Sequence, residues 1–317
     1  MHLVVIGGGS VGMLLAGRLQ LGGQTAVLLT RGEEQAERLK RELLTIHTLS
    51  GECLQTPVAA CAFSDPLPAA DCYLLAVKQP VLPDLLPALA KLPDTARVVA
   101  LQNGMGHEEL LRSVIPSERL FFAVNTEGAK RLSPVEVAHT GRGRLRLGPW
   151  RKRAFRDPLI ADLVKLLSAC AIDAEYVDEA SGLMWRKLLA NACINPLTAL
   201  FEVHNGMLVQ SPSLTSLMRQ LFREAADVAN AAGQKITEKD WQEIVTICRN
   251  TFRNDSSMLQ DLRHGKPTEI ESISGYIVGK GTENGISTPL HETLRRAVLL
   301  KQTVHRGEGG ASHGDSG

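Results

Sequence analysis

Leu3-Val4-Val5-Ile6-Gly7-Gly8-Gly9-Ser10-Val11-Gly12-Met13-Leu14-Leu15 is the stretch that decides the fold. An apolar run of strand length enters a G-x-G-x-x-G turn, and Met13, Leu14, Leu15 and Leu19 leave it at helical spacing. In such a turn Gly7 makes the strand-to-helix bend, Gly9 lets the backbone approach a pyrophosphate, and Gly12 allows the helix to pack closely on the strand. The first helical residues, Ser10, Val11 and Gly12, then present N–H groups at the positive end of the helix dipole, where phosphate binds. The competing reading is a glycine turn with a purely structural role. The strand before it and the helix after it favour a dinucleotide site.

A second apolar run, Ala26-Val27-Leu28-Leu29-Thr30, closes on Arg31. An NAD site usually carries an acid at this point to bind the ribose 2′-hydroxyl, whereas a guanidinium pairs with a 2′-phosphate. Arg31 therefore points to NADP. The alternative is an exposed loop charge at Arg31, with Glu33 or Glu34 taking the acidic role one turn later.

At 317 residues the chain has room for two domains, and 44% hydrophobic content with a net charge of +1 fits an ordinary soluble protein. No basic stretch interleaved with aromatics suggests nucleic-acid binding, and no apolar run approaches the ~20 residues of a membrane span. A strand at the very start leaves no signal peptide expected, and a cytoplasmic protein follows. Cys53, Cys61, Cys72, Cys170, Cys193 and Cys248 are scattered without a Cys-x-x-Cys pair. They read as reduced thiols, with neither a zinc site nor a disulfide framework.

Strand-like runs at 72–77, 97–101 and 120–124 alternate with helical ones at 83–91 and 108–114. This predicts a doubly wound parallel sheet of Rossmann type over residues 1–178. Residues 43–62 and 133–148 show short alternating stretches punctuated by glycine, and read as hairpins or edge strands. From residue 179 strand signals nearly vanish. Helical patterns at 179–195, 213–232, 238–250 and 269–281 predict an all-helical domain over 179–306, and the Gly/Ser-rich segment 307–317 reads as a disordered tail.

In Trp185-Arg186-Lys187-Leu188-Leu189-Ala190-Asn191-Ala192-Cys193-Ile194-Asn195-Pro196, the residues Lys187, Asn191 and Asn195 fall at i, i+4 and i+8 on one helix face. A stripe of one cation and two amides suits a site that needs an acid and adaptable hydrogen bonds. It also suits a solvated face on a helix that Asn195 ends before Pro196. Ser257 with Gln260, and Thr268 with Glu271, each have capping-box spacing, which would make Glu269 an ordinary first-turn acid. Lys78 and Asn103 each follow a predicted strand, where ligands of doubly wound sheets bind. A bare exposed lysine and a glycine-rich turn are the plainer readings.

Taken together, these segments resemble the 2-dehydropantoate 2-reductase (ketopantoate reductase) family up to about residue 306. The resemblance rests on Gly7-x-Gly9-x-x-Gly12 with Arg31, Val77-Lys78, Gln102-Asn103-Gly104, Lys187-Leu188-x-x-Asn191-x-x-x-Asn195-Pro196-Leu197-Thr198, Ser256-Ser257-Met258-x-Gln260-Asp261 and Thr268-Glu269-Ile270. It implies NADPH-dependent reduction of ketopantoate to pantoate, a step toward pantothenate and coenzyme A. It further implies Lys187 as general acid and Glu269 as a residue that holds substrate and lysine and borders the cofactor. Substrate contacts fall to Asn191, Asn195, Asn254 and Ser257, while Lys78 and Asn103 lie between cofactor and substrate. The partner expected is a small 2-oxo acid, with the chain as monomer or homodimer. Two other classes stay open: a related NADP-dependent reductase of another 2-oxo acid, and a non-enzymatic NADP-binding regulator. Retention of Lys187 with Glu269 argues against the regulator, which needs no proton donor.

Overall fold

The computed structural model describes residues 1–64 and 66–311. The chain divides into two compact units, Met1–Gln102 with His107–Ser181, and Asn103–Gly106 with the chain from Gly182 onward. The short segment 103–106 thus leaves the domain in which the sequence placed it.

In the first unit the strands are β1 Leu3–Ile6, β2 Ala26–Thr30, β3 Leu44–His47, β4 Cys53–Thr56, β5 Ala59–Ala62 and β6 Cys72–Leu75. They continue with β7 Arg97–Ala100, β8 Leu120–Asn125, β9 Gly128–Ser133, β10 Glu136–Gly141, β11 Leu145–Gly148 and β12 Ala174–Tyr176. Helices α1 Ser10–Leu21, α2 Glu33–Arg41, α3 Leu82–Leu89, α4 His107–Arg112 and α5 Pro158–Ala169 connect them. An eight-stranded sheet runs β12-β11-β8-β7-β6-β1-β2-β5. From β8 to β5 all pairs are parallel. Every residue of β1 and β6 is buried, as covered parallel strands require, and this is why they read as unbroken apolar runs. Strand order reverses between β1 and β6, the topological switch point outside whose carboxyl edge ligands bind.

The stretches at 43–62 and 133–148 separate in the structure. β5 becomes the parallel edge of the large sheet, and β11 joins it antiparallel to β8. The rest, with β9, builds a second sheet, β4-β3-β10-β9, whose central pair β3 and β10 comes from segments some ninety residues apart. Long-range pairing of this kind has no local signature.

The second unit is helical: α6 Ser181–Phe201, α7 Met207–Gln210, α8 Pro212–Ala231, α9 Glu238–Asn250, α10 Ser257–Arg263, α11 Tyr276–Glu283 and α12 Pro289–Ala311. Contrary to the reading that Asn195 ends its helix, α6 continues through Pro196 to Phe201. An interior proline costs about 3 kcal/mol. Complete burial of Ala192, Cys193, Leu197 and Ala199 offsets it, and the Thr198 hydroxyl lies 2.9 Å from the Ile194 carbonyl oxygen in the same turn. The pattern at 269–281 is no single α-helix either, because a π turn, Glu271–Gly275, precedes α11. Residues 307–311, expected in an unstructured tail, continue α12, since propagating an existing helix adds a hydrogen bond per residue. The remaining tail, 312–317, lies outside the described residues. No helix among the described residues is long and apolar enough to cross a membrane.

Candidate active site

The glycine turn sits at the carboxyl end of β1 in the first unit. Gly7 has φ +124°, and a Cβ there would stand 2.9 Å from the backbone of Ala76 and Val77. At Gly12 a Cβ would fall 1.9 Å from the Gly7 carbonyl oxygen, so α1 reaches β1 only without a side chain. At Gly9 a Cβ would meet nothing within 4 Å, which leaves open space over the start of α1. The first intrahelical bond runs from Met13 N to Gly9 O at 2.9 Å, so the N–H groups of Ser10, Val11 and Gly12 have no helical acceptor. The open cradle and unengaged donors fit a pyrophosphate. Lys78 is exposed just past the end of β6, beyond the Ala76–Val77 backbone that abuts Gly7. Arg31 follows β2 directly, is exposed, and makes no hydrogen bond or ion pair with other described residues. Glu33 and Glu34 open α2 beside it.

In the second unit Lys187 Nζ donates to Asn103 Oδ1 at 2.7 Å, and Asn103 Nδ2 donates to Glu269 Oε2 at 3.4 Å. Ammonium has only donors and carboxylate only acceptors, so this chain admits one orientation of the Asn103 amide. Lys187 is half-buried; loss of hydration pushes its pKa down to about 8, and the Glu269 carboxylate opposes the fall. An ammonium poised near neutrality is suited to releasing a proton.

Segment 103–106 is anchored here by the π turn. Met105 N donates to Ser272 O at 2.9 Å, and Ser272 Oγ donates to Glu269 O at 3.0 Å. Gly104 has φ +75°, and a Cβ there would lie 2.5 Å from Ser272 O. Sequence reasoning missed both Ser272 and the π turn, although the paired Gly104 and Gly106 in a strand-to-helix connection hinted at a close approach.

The expected Thr268/Glu271 capping box does not form. Thr268 Oγ1 has no partner among the described residues, Thr268 N donates to Gln302 Oε1 at 2.7 Å, and Glu271 instead accepts from Arg295 at 2.8 Å. The Ser257/Gln260 box is also displaced, because Ser256 is the N-cap and accepts from Leu259 N at 3.1 Å. Ser256 wins because its buried hydroxyl is held 2.7 Å from that of Thr198 on α6. Ser257 is thereby left exposed, as is Asn254. Lys187 and Asn191 are half-buried on one face of α6 and Asn195 is buried, whereas Trp185, Leu188, Leu189 and Ala192 enter the core. The side chains of Asn191, Asn195, Asn254 and Ser257 make no hydrogen bond to other described residues. The structure brings Lys187, Asn103 and Glu269 together, and the Thr198–Ser256 bond ties the start of α10, where Ser257 lies, to the last turns of α6.

Comparisons with known proteins agree over both units. Residues 3–152 match the family model described as ketopantoate reductase PanE/ApbA, and residues 179–302 match its C-terminal counterpart. The chain is 32% identical to the 2-dehydropantoate 2-reductase of Halobacterium salinarum, covering 95% of this chain and 99% of that one. The enzyme of that name from Bacillus subtilis is 31% identical over 94% of this chain and 96% of its own. A PanE/ApbA family ketopantoate reductase of known crystal structure, from Ralstonia eutropha, superposes with a TM-score of 0.86 at 29% identity, covering 96% of this chain and all (100%) of that one. With its two matched regions, near-complete coverage and shared architecture, the chain belongs to the ketopantoate reductase family of oxidoreductases.

Proposed function

We propose that the protein reduces 2-dehydropantoate to pantoate with NADPH, with Lys187 as general acid. The observation that carries this reading is the Lys187–Asn103–Glu269 chain, which holds a partly desolvated ammonium beside a carboxylate. The cofactor supplies hydride to one face of the substrate carbonyl carbon. Gly7, Gly9 and Gly12, with the N–H groups of Ser10 and Val11, would hold its pyrophosphate, and Lys78 and Asn103 would border its reactive end.

As the carbonyl oxygen takes on negative charge, the Lys187 ammonium stabilises it and then gives up a proton. Asn103 aims Nζ, and Glu269 keeps the lysine protonated near neutral pH while accepting a hydrogen bond from the substrate hydroxyl. Asn191 and Asn195, together with Asn254 and Ser257, would bind the remaining polar groups of a 2-oxo acid, for which their unengaged side chains are available. Arg31 would pair with a 2′-phosphate, since no protein acid among the described residues occupies it.

The test is NADPH oxidation, followed spectrophotometrically over a panel of 2-oxo acids. The highest kcat/KM is expected for ketopantoate. A higher value for a 2-oxo acid without the hydroxyl would move the assignment to a related reductase, and no turnover on any member would reject the enzyme.

A further inference from the structure

Arg131 reaches the glycine turn from outside the motif that the turn belongs to. It lies near the end of β9 in the first unit. Its Nη1 donates to Gly8 O at 3.2 Å and its Nε to Ser133 O at 3.1 Å. Gln35, in the first turns of α2, donates through Nε2 to the same Gly8 oxygen at 2.9 Å and to Pro134 O at 3.1 Å. The glycine turn, the start of α2 and the β9–β10 turn therefore converge on one carbonyl. Glu34, also at the start of α2, is close enough for its charge to act on the guanidinium, which partial burial otherwise disfavours.

Of the five N–H donors of an arginine, Arg131 commits two, and the other three have no acceptor among the described residues. A cation with unspent donors thus stands between the glycine turn and the segment after β2. In a sheet of this order, that is where the adenosine ribose of a dinucleotide lies. Arg31 flanks the same segment at the end of β2. A carboxylate at Glu34 would by itself repel a phosphate there.

We propose that Arg131 is a second reader of the cofactor 2′-phosphate, acting with Arg31 and neutralising Glu34. The inference rests on the NADP reading above, and it moves part of cofactor choice onto the second sheet. A guanidinium satisfies both demands at once, since Nε and one Nη1 hydrogen brace Ser133 and Gly8 while the Nη2 hydrogens remain for charge-assisted contacts to a phosphate.

Equilibrium binding to the full-length protein tests it, using NADPH, NADH, adenosine 2′,5′-bisphosphate and AMP as probes, with thermal unfolding as a control for the fold. Arg131→Met is expected to weaken NADPH and the bisphosphate by about ten- to a hundredfold, and to leave NADH and AMP within about twofold of wild type. Arg131→Lys, which keeps the charge and loses the fork, is expected to fall between. Equal losses on all four probes would make Arg131 a brace of the turn and overturn the proposal, as would no loss on any. If wild type binds NADH as tightly as NADPH, the NADP reading itself fails and the proposal with it. A wild-type preference that survives Arg131→Met overturns the role of Arg131 alone.

Discussion

One amide orders the proposed chemistry. Asn103 accepts from Lys187 and donates to Glu269, so it holds acid and carboxylate in a fixed relation while contributing no charge. Lys187→Ala is expected to cost at least about a hundredfold in turnover while NADPH binding persists; near-normal turnover would remove Lys187 from proton transfer. The pH profile has a definite sign. With a pKa of about 8 the acid is protonated below that value, so kcat/KM is expected to be level on the acid side and to fall above pH 8. Because Glu269 raises the lysine pKa, Glu269→Gln should shift the alkaline limb to lower pH. The same change should cost more with ketopantoate than with its deoxy analogue, which lacks the hydroxyl that Glu269 would accept. Equal losses on both substrates, with the limb unmoved, would remove Glu269 from the reaction.

The π turn Glu271–Gly275 and its bond to segment 103–106 place Asn103 where Lys187 can reach it. π turns are rare and recur at functional positions. Gly104 is the weak point of that arrangement, because its positive φ and the 2.5 Å approach to Ser272 O both exclude a side chain. Gly104→Ala is expected to lose about 1–3 kcal/mol of stability from the backbone strain alone. Displacement of Asn103 should lower turnover as well. Unchanged thermal unfolding together with unchanged kcat would show that the segment tolerates a different path. The π turn itself was not legible along the chain, since the apolar spacing over 269–281 is that of an ordinary helix. Capping-box spacing also misled at Thr268 and Ser257. Each box is a local pattern, and here the tertiary partners Gln302, Arg295 and Thr198 outbid it.

Across the molecule, two buried histidines set an acid limit on folding. Neither ring nitrogen of His107, in the first unit, has a hydrogen-bond partner among the described residues, and His291, in the second, lies with Nε2 3.0 Å from Leu221 O. Burial pushes both down to about 4 from 6.5. The unfolded chain therefore takes up protons first. Stability is expected to fall as pH drops through 6.5 toward 4, by about 2 kcal/mol per histidine between pH 7.5 and 5. Urea unfolding at those two pH values measures it. His107→Leu should remove its share of the difference, and an undiminished difference would place the acid sensitivity elsewhere.

The linear chain by itself determined the glycine turn, the parallel sheet around it, the helical second half and the residue types of the site. Those features are written in short-range periodicity and in φ or steric demands that a few neighbouring residues express. Lys187, Asn191 and Asn195 could be placed on one face from spacing alone, since helix geometry is local. Only the tertiary structure decided that 103–106 joins the second unit, that β3 pairs with β10, that α6 runs through Pro196, and that Ser256 is the cap. Each of those outcomes depends on a partner distant in sequence. Burial and hydrogen bonding to that partner outweigh local preferences of about 1–3 kcal/mol, and no window along the chain contains both halves of the contact.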